Sequence, residues 1–377
     1  MSKLKELIQE LCPNGVEHKT IQETVGVNRG RRLTKSQLSD DGEYEVYHGS
    51  KDSILGKFHQ FNAPANTVIV INTGGIGGVK FLDKPFWCSD GSFWLGQVDY
   101  INNKFLYYYL VGFEDYFYSQ KRIGGVPTID RSIVERLEIP ILPLPVQEEI
   151  VKILDRFAEY AAELQAELQA ELQARQEQYE YYRNKLLTFD KIGGGTQSVN
   201  YMKMSEICDI KRGVRVTRNS LVSDGSFSVF QNSLTPLGKF DKYNRDSDKT
   251  FVICAGAAGE IGYSNKPFWA ADDCFTIETD TIDNKYIYHF LLTKKTFLKS
   301  RVRKASVPRI SSSEIGKLVI PIPSLAEQQR IVSILDKFEA LVNDLTESLP
   351  AEIAAVQEQY EYYRNKLLSF PRTKINA

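Results

Sequence analysis

The string QEQYEYYRNKLLTF at 176–189 returns at 357–370 as QEQYEYYRNKLLSF, altered only at Thr188 against Ser369. The shift is 181 residues in a chain of 377, so two copies of one unit span nearly the whole length. Upstream, LEIPILPLPVQEEIVKILDRF (137–157) matches LVIPIPSLAEQQRIVSILDKF (318–338) at the same shift. The shift becomes 182 through KPFW (84–87 with 266–269) and GKF (56–58 with 238–240), and 183 at Arg29-Gly30 with Arg212-Gly213. A duplicated chain must build the same elements twice in the same order, and creeping single-residue gaps belong to loops. Between these anchors the copies differ at most positions. The helical segments stayed alike while the globular segments diverged.

Each copy opens with a basic, turn-rich stretch, NRGRRLTKS (28–36) or IKRGVRVTRNS (210–220). An apolar run of strand composition follows, TVIVI (67–71) or TFVICA (250–255), then glycines, a second strand and an aromatic helical stretch. A long helix closes the copy. In the first, Ile150, Leu154, Phe157, Ala161, Leu164 and Leu168 form a coiled-coil seam, and AELQ occurs three times between 162 and 173. Steps of four overshoot a helical turn, so that seam should drift across the face. The second seam runs Ile331, Leu335, Phe338, Val342, Leu345, Leu349 and Ile353, with Pro350 expected to kink or restart the helix.

Composition narrows the function. No apolar run reaches the ~20 residues of a membrane span, so no membrane partner is expected. Five cysteines without a CxxC spacing read as reduced, buried thiols, and four scattered histidines argue against a zinc site. Residues 191–317 hold 20 Lys and Arg against 13 Asp and Glu, on a chain whose net charge is only −1. Local basic patches on an otherwise balanced chain suit a nucleic-acid binder.

Catalytic motifs fail on spacing. TGGIGG (73–78) lacks the GxGxxG pattern, is followed by Val79-Lys80-Phe81-Leu82 rather than a helix start, and reads as a tight strand-to-strand turn. DKPF (83–86) and NKPF (265–268) carry lysine where the catalytic tetrad of amino-methyltransferases has its first proline. No metal or catalytic residue is assigned, and the chain reads as a non-enzyme.

The segment at 318–338, its weaker form at 137–157, the heptad helices ending in YRNKLL and the opening KLKELIQELCPNGVEHKTI (3–21) resemble type I restriction-modification specificity subunits. One departure is Pro145-Val146-Gln147, where the second copy has the more typical Ala326-Glu327-Gln328. The resemblance implies an α+β fold: two α/β target-recognition domains joined by two long helices in an antiparallel coiled coil, with internal pseudo-two-fold symmetry. Expected bounds are 1–142 for the N-terminal segment and first domain, 143–189 for the first helix, 190–323 for the second domain and 324–377 for the second helix. It also implies a cytoplasmic protein that reads a bipartite, asymmetric target in double-stranded DNA and recruits two methyltransferase subunits and, through them, restriction/motor subunits. The complex would methylate adenine at N6. This chain would bind no cofactor, with S-adenosylmethionine, ATP and magnesium on the partners. The alternative is a coiled-coil rod carrying two heads that bind something other than DNA.

Candidate DNA contacts are Arg29, Arg31, Arg32 and Lys35 in the first opening and Lys211, Arg212, Arg215 and Arg218 in the second. Lys121, Arg122, Arg301, Arg303, Lys304 and Arg309 join them from the loops before the conserved segments, since Arg and Lys near DNA hold phosphates and can read guanine edges. Candidate partner contacts are Tyr179, Tyr182, Arg183, Tyr360, Tyr363 and Arg364, residue types favoured at interface hot spots. Tyr181 and Tyr362 are the outward-facing alternatives.

Overall fold

A computed structural model describes residues 2–122, 126–189, 199–304 and 306–373. The chain forms two compact units, one of residues 1–166 with 351–377 and one of 167–350. The long helices run Leu144–Leu187 and Leu325–Leu368, 44 residues each, at the 181-residue shift of the sequence repeat. The second is unbroken across Pro350.

In the first unit, strand His18–Thr20 pairs antiparallel with Glu138–Pro140, zipping together the chain's way into and out of the domain. Thr20 then caps a short helix, Ile21–Thr24. Its hydroxyl accepts from Glu23 N at 3.2 Å, and Glu23 accepts from Thr20 N at 3.0 Å. A four-stranded antiparallel sheet has the order Val27–Arg29, Ser92–Leu95, Thr67–Ile71, Val79–Leu82. A smaller sheet places Tyr44–Tyr47 between Gly56–Phe58, antiparallel, and Trp87–Cys88, parallel.

The run TVIVI is buried at all five positions because both its faces are covered. Val68 and Val70 pack in one core with Leu106 and Leu110 of helix Asn103–Val111, while Ile69 and Ile71 pack in another with Tyr47, Phe86 and Cys88. Alternation of side chains along a strand divides one apolar run between two cores.

The second unit repeats this plan. Its sheets run Asp209–Arg212, Cys274–Glu278, Lys249–Ile253, Ile261–Ser264 and Gly238–Phe240, Phe227–Phe230, Phe268–Ala270. Strand Asn200–Lys203 pairs with Val319–Ile322 as the counterpart of the entry zipper. Cores drifted in compensating steps. Ile69 faces Lys80 across the hairpin in the first copy, whereas Phe251 faces Gly262 in the second. A Cβ on Gly262 would lie 2.3 Å from the Phe251 ring, so the larger core residue required the glycine.

The glycine segments are strand-to-strand turns, as their spacing indicates. Only Gly256 and Gly259 survive of the aligned glycines, and they match Gly74 and Gly77; all four adopt positive φ, between 83° and 87°. That conformation favours glycine, and a Cβ on Gly74 would meet the Gly49 carbonyl at 2.6 Å.

Each unit also contains a segment of both long helices. In the first, Val146, Ile150 and Leu154 share a core with Leu4 and Leu368, and Phe157 stacks on Tyr363 with centroids 5.7 Å apart. In the second, Ile331 and Leu335 share a core with Tyr179 and Leu187, and Tyr182 stacks on Phe338 at 5.2 Å. Both units thus set the start of one helix beside the end of the other, the pairing of an antiparallel coiled coil. Ala161, Leu164, Leu168 and Leu172 are half-buried among exposed neighbours, so the expected seam is the packed one. All five cysteines are free and buried. Among the described residues no helix is long and apolar enough to cross a membrane.

Candidate nucleic-acid interface

The basic opening is fastened to its domain by backbone bonds. Arg31 N donates to Cys88 O at 2.8 Å, and Trp87 returns its indole N–H to Arg31 O at 2.8 Å. In the second domain Val214 N donates to Ala270 O at 2.9 Å, and Trp269 Nε1 to Val214 O at 2.8 Å. These bonds give the retained KPFW tetrad its reason: its tryptophan clamps the basic loop in both copies.

The second expected segment lies beside the first. Arg32, Thr34 and Lys35 line an open cleft of about 520 Å³ together with His48, Asp90, Val126 and Thr128, and Asp90 lies 3.4 Å from His48. In the second domain Arg212, Arg303 and Arg309 line a cleft of about 480 Å³. Stretches roughly ninety residues apart in sequence therefore meet at one concave basic surface in each domain.

Not every candidate is equally available. Lys121 lies 3.7 Å from the Tyr118 ring centroid, Arg122 is ion-paired with Asp130, and Arg301 sits over Phe297 with Glu314 at 3.9 Å. Arg212, which lines the second cleft, donates through Nε to Asp272 O at 2.7 Å. Arg29, Arg31, Arg32, Lys35, Lys211, Arg215, Arg218, Arg303, Lys304 and Arg309 are exposed and make no ion pair among the described residues.

A polar clasp fastens each domain to a long helix. Lys104 Nζ reaches Asp155 Oδ2 at 2.8 Å and Tyr108 donates to the other oxygen of the same carboxylate. Lys285 and Asp336 repeat the contact at 2.9 Å, with His289 in place of Tyr108 and its Nε2 3.0 Å from Asp336 Oδ1. Gln147 and Gln328, the glutamines shared by the two helix starts, are buried and cap the domain helix in the same way. Their Oε1 atoms accept from Asn102 N at 2.8 Å and Asp283 N at 2.9 Å. The Pro145-Val146 departure thus leaves this cap in place. His289, Asp336 and Glu339 bring their ligand atoms within 4.8 Å of one another. Lys285 already sits on Asp336, Tyr288 donates to Glu339 at 2.7 Å and Tyr179 shares a hydrogen bond with His289 Nδ1 at 3.3 Å, so protein groups occupy the places a cation would take.

The family model described as the type I restriction modification DNA specificity domain matches this chain twice, over residues 13–174 and 197–355. The chain belongs to that family. A Haemophilus influenzae protein assigned as a type I restriction enzyme specificity subunit is 31% identical across 94% of this chain and 96% of its own length. The EcoR124I/EcoR124II specificity subunit of Escherichia coli is 32% identical over 68% of this chain and 65% of its own length. The fold matches a chain solved in work on complex assembly and conformational transition of the type I system, with a TM-score of 0.74 at 15% identity over 95% of this chain and 98% of that one. It also matches the S subunit of M. genitalium, at 0.52 and 22% over 93% and 96%. The two clefts are therefore features of two DNA specificity domains, and the alternative of heads unconnected with DNA is set aside. A specificity subunit is generally the non-catalytic member of its system.

The near-identical helix ends of this specificity subunit split into inward and outward faces. Tyr179 is 8% exposed, Arg183 9% and Arg364 6%. Arg183 lies 5.0 Å from the Tyr179 ring centroid and Arg364 5.9 Å from that of Tyr360. Tyr182 and Tyr363 form the interhelical stacks already described, and burial pushes the Tyr360 phenol up to about 12. All six candidate partner residues thus pack to a large extent against their own chain. Tyr181 and Tyr362 face outward, 58% and 61% exposed. The helical phase accounts for this: 179, 183 and 187 step by four and begin seven residues, about two turns, beyond Leu172.

Proposed function

We propose that this chain is the DNA-reading subunit of a type I restriction-modification enzyme, each domain reading one half of a bipartite, asymmetric site in double-stranded DNA. One observation carries the reading: in each domain the basic opening and the segment around 128 or 309 line a cleft, and the side chains at that shared position differ, Thr128 against Arg309, while the helices and the Lys-Asp clasps recur. Identical supports with different heads suit identical protein partners and different half-sites.

On this reading each repeat recruits one methyltransferase subunit, and restriction/motor subunits join through them. S-adenosylmethionine, ATP and magnesium belong to those partners, and the product is N6-methyladenine. Genomic DNA as substrate places the complex in the cytoplasm. Exposed arginines and lysines along both openings supply the sequence-independent phosphate term, so DNA affinity should fall steeply with salt. The deciding experiment is purification of the full chain with its methyltransferase partner, followed by sequencing of methylated sites. Two short specified blocks separated by an unspecified gap are expected. Methylation without a defined site would refute the proposal.

A further inference from the structure

One repeated position lines both clefts, Thr128 in the first domain and Arg309 in the second. Thr128 forms β-bridges to Arg122 and Thr73; in the second domain Arg309 forms them to Arg303 and Ala255. Arg122 N donates to Thr128 O and Arg303 N to Arg309 O, both at 2.8 Å. The following residue is tied to the strand below, Ile129 N to Asn72 O at 3.0 Å and Ile310 N to Cys254 O at 2.9 Å. Backbone bonded on both edges holds its side chains in a fixed direction.

What stands on this frame differs. Thr128 is replaced by Arg309, and Asp130, which pairs with Arg122, is replaced by Ser311. Arg303 makes no contact ion pair among the described residues, the nearby Glu314 being engaged by Lys317 and Arg301, and Arg309 is exposed. A guanidinium offers a rigid fork of donors that matches the N7 and O6 acceptors of guanine. A lysine in its place keeps the charge but not the fork.

We propose that position 128/309 is a base-reading position: Arg309 reads a guanine through the major groove in the second half-site, and Thr128 reads a different base at the equivalent place in the first. The proposal rests on the DNA-specificity reading above and adds the residue that discriminates. Arg303 and Lys304 beside it hold phosphate and carry no sequence preference.

The test uses the full chain assembled with its methyltransferase partner, as wild type, Arg309→Lys, Arg309→Ala and Thr128→Arg, with methylated sites sequenced in a host genome. Both Arg309 variants should lose preference at one G·C position of the second half-site, by about 5- to 150-fold as expected for one bidentate contact, with the first half-site unchanged. Thr128→Arg should alter one position of the first half-site only. If Arg309→Lys leaves both half-sites intact, Arg309 is a phosphate contact and the assignment falls. The same holds if Arg309→Ala only weakens binding uniformly and lowers the salt slope by about 0.9. A wild-type enzyme with no defined site would instead overturn the specificity reading, and this proposal with it.

Discussion

Trp87 donates its indole N–H to the carbonyl of Arg31 at 2.8 Å, so a residue of the smaller sheet fastens a basic surface loop. Trp269 holds the carbonyl of Val214 at the same distance in the other domain. Replacing either tryptophan by phenylalanine keeps most of the packing and deletes the bond. Each variant should lose about 1 kcal/mol of stability and weaken DNA binding through its own domain only. Chemical denaturation and binding to duplexes altered in one half-site at a time measure this. Unchanged affinity for both half-sites would show that the clamp does not position the loop.

His289 should make the second unit sensitive to mild acid. Burial, the largest influence, lowers its pKa below the ordinary 6.5 despite Asp336 and Glu339, which raise it, and Lys285 adds to the lowering. Neutral imidazole satisfies the site, because Nε2–H can donate to Asp336 while Nδ1 accepts from Tyr179. The unfolded chain takes up the proton first, so stability is complete above pH 6.5 and is lost as pH falls from there through the depressed native value. His289→Tyr, which copies Tyr108, should flatten the unfolding midpoint between about pH 5 and 7, the range of histidine titration. An equally steep profile in that variant would clear His289 of the effect.

The outward tyrosines are expected to serve the methyltransferase. Tyr181→Ala and Tyr362→Ala should each weaken one of two partner copies, and the double variant both, with thermal stability close to wild type because neither ring is buried. Native mass measurement of the assembled complex reads the stoichiometry. Two copies retained at wild-type affinity by the double variant would move the docking surface elsewhere.

Helix length should set the gap between half-sites. An added AELQ unit lengthens the first helix by about 6 Å, against 3.4 Å per base pair of DNA. Variants with two, three or four units should shift the methylated gap by one or two base pairs and leave both half-sites alone. Retained activity with a constant gap would show that the helix does not measure DNA.

The duplication, the strands, the glycine turns and the seam were legible in the sequence because each is a local pattern of spacing and polarity. Arg32, Arg212 and Arg309 could be named as candidates but not placed in clefts, and Thr128 carries no charge to mark it, since only the tertiary fold brings it to the cleft of Arg32. The clasp was partly visible. Asn103-Lys104 and the aspartate of ILDRF recur at the repeat distance, yet nothing local says that Lys104 meets Asp155 across 51 positions. In the tyrosine block residue type was readable and facing was not, because steps of four turn the seam gradually around the helix.

The hairpin pair Ile69 and Lys80 became Phe251 and Gly262 in the other copy. Lysine introduced at 262 would strike the Phe251 ring, and would be tolerated only if isoleucine accompanied it at 251. At this pair a single residue can no longer pass from one domain to the other, because each hairpin carries its own matched partner.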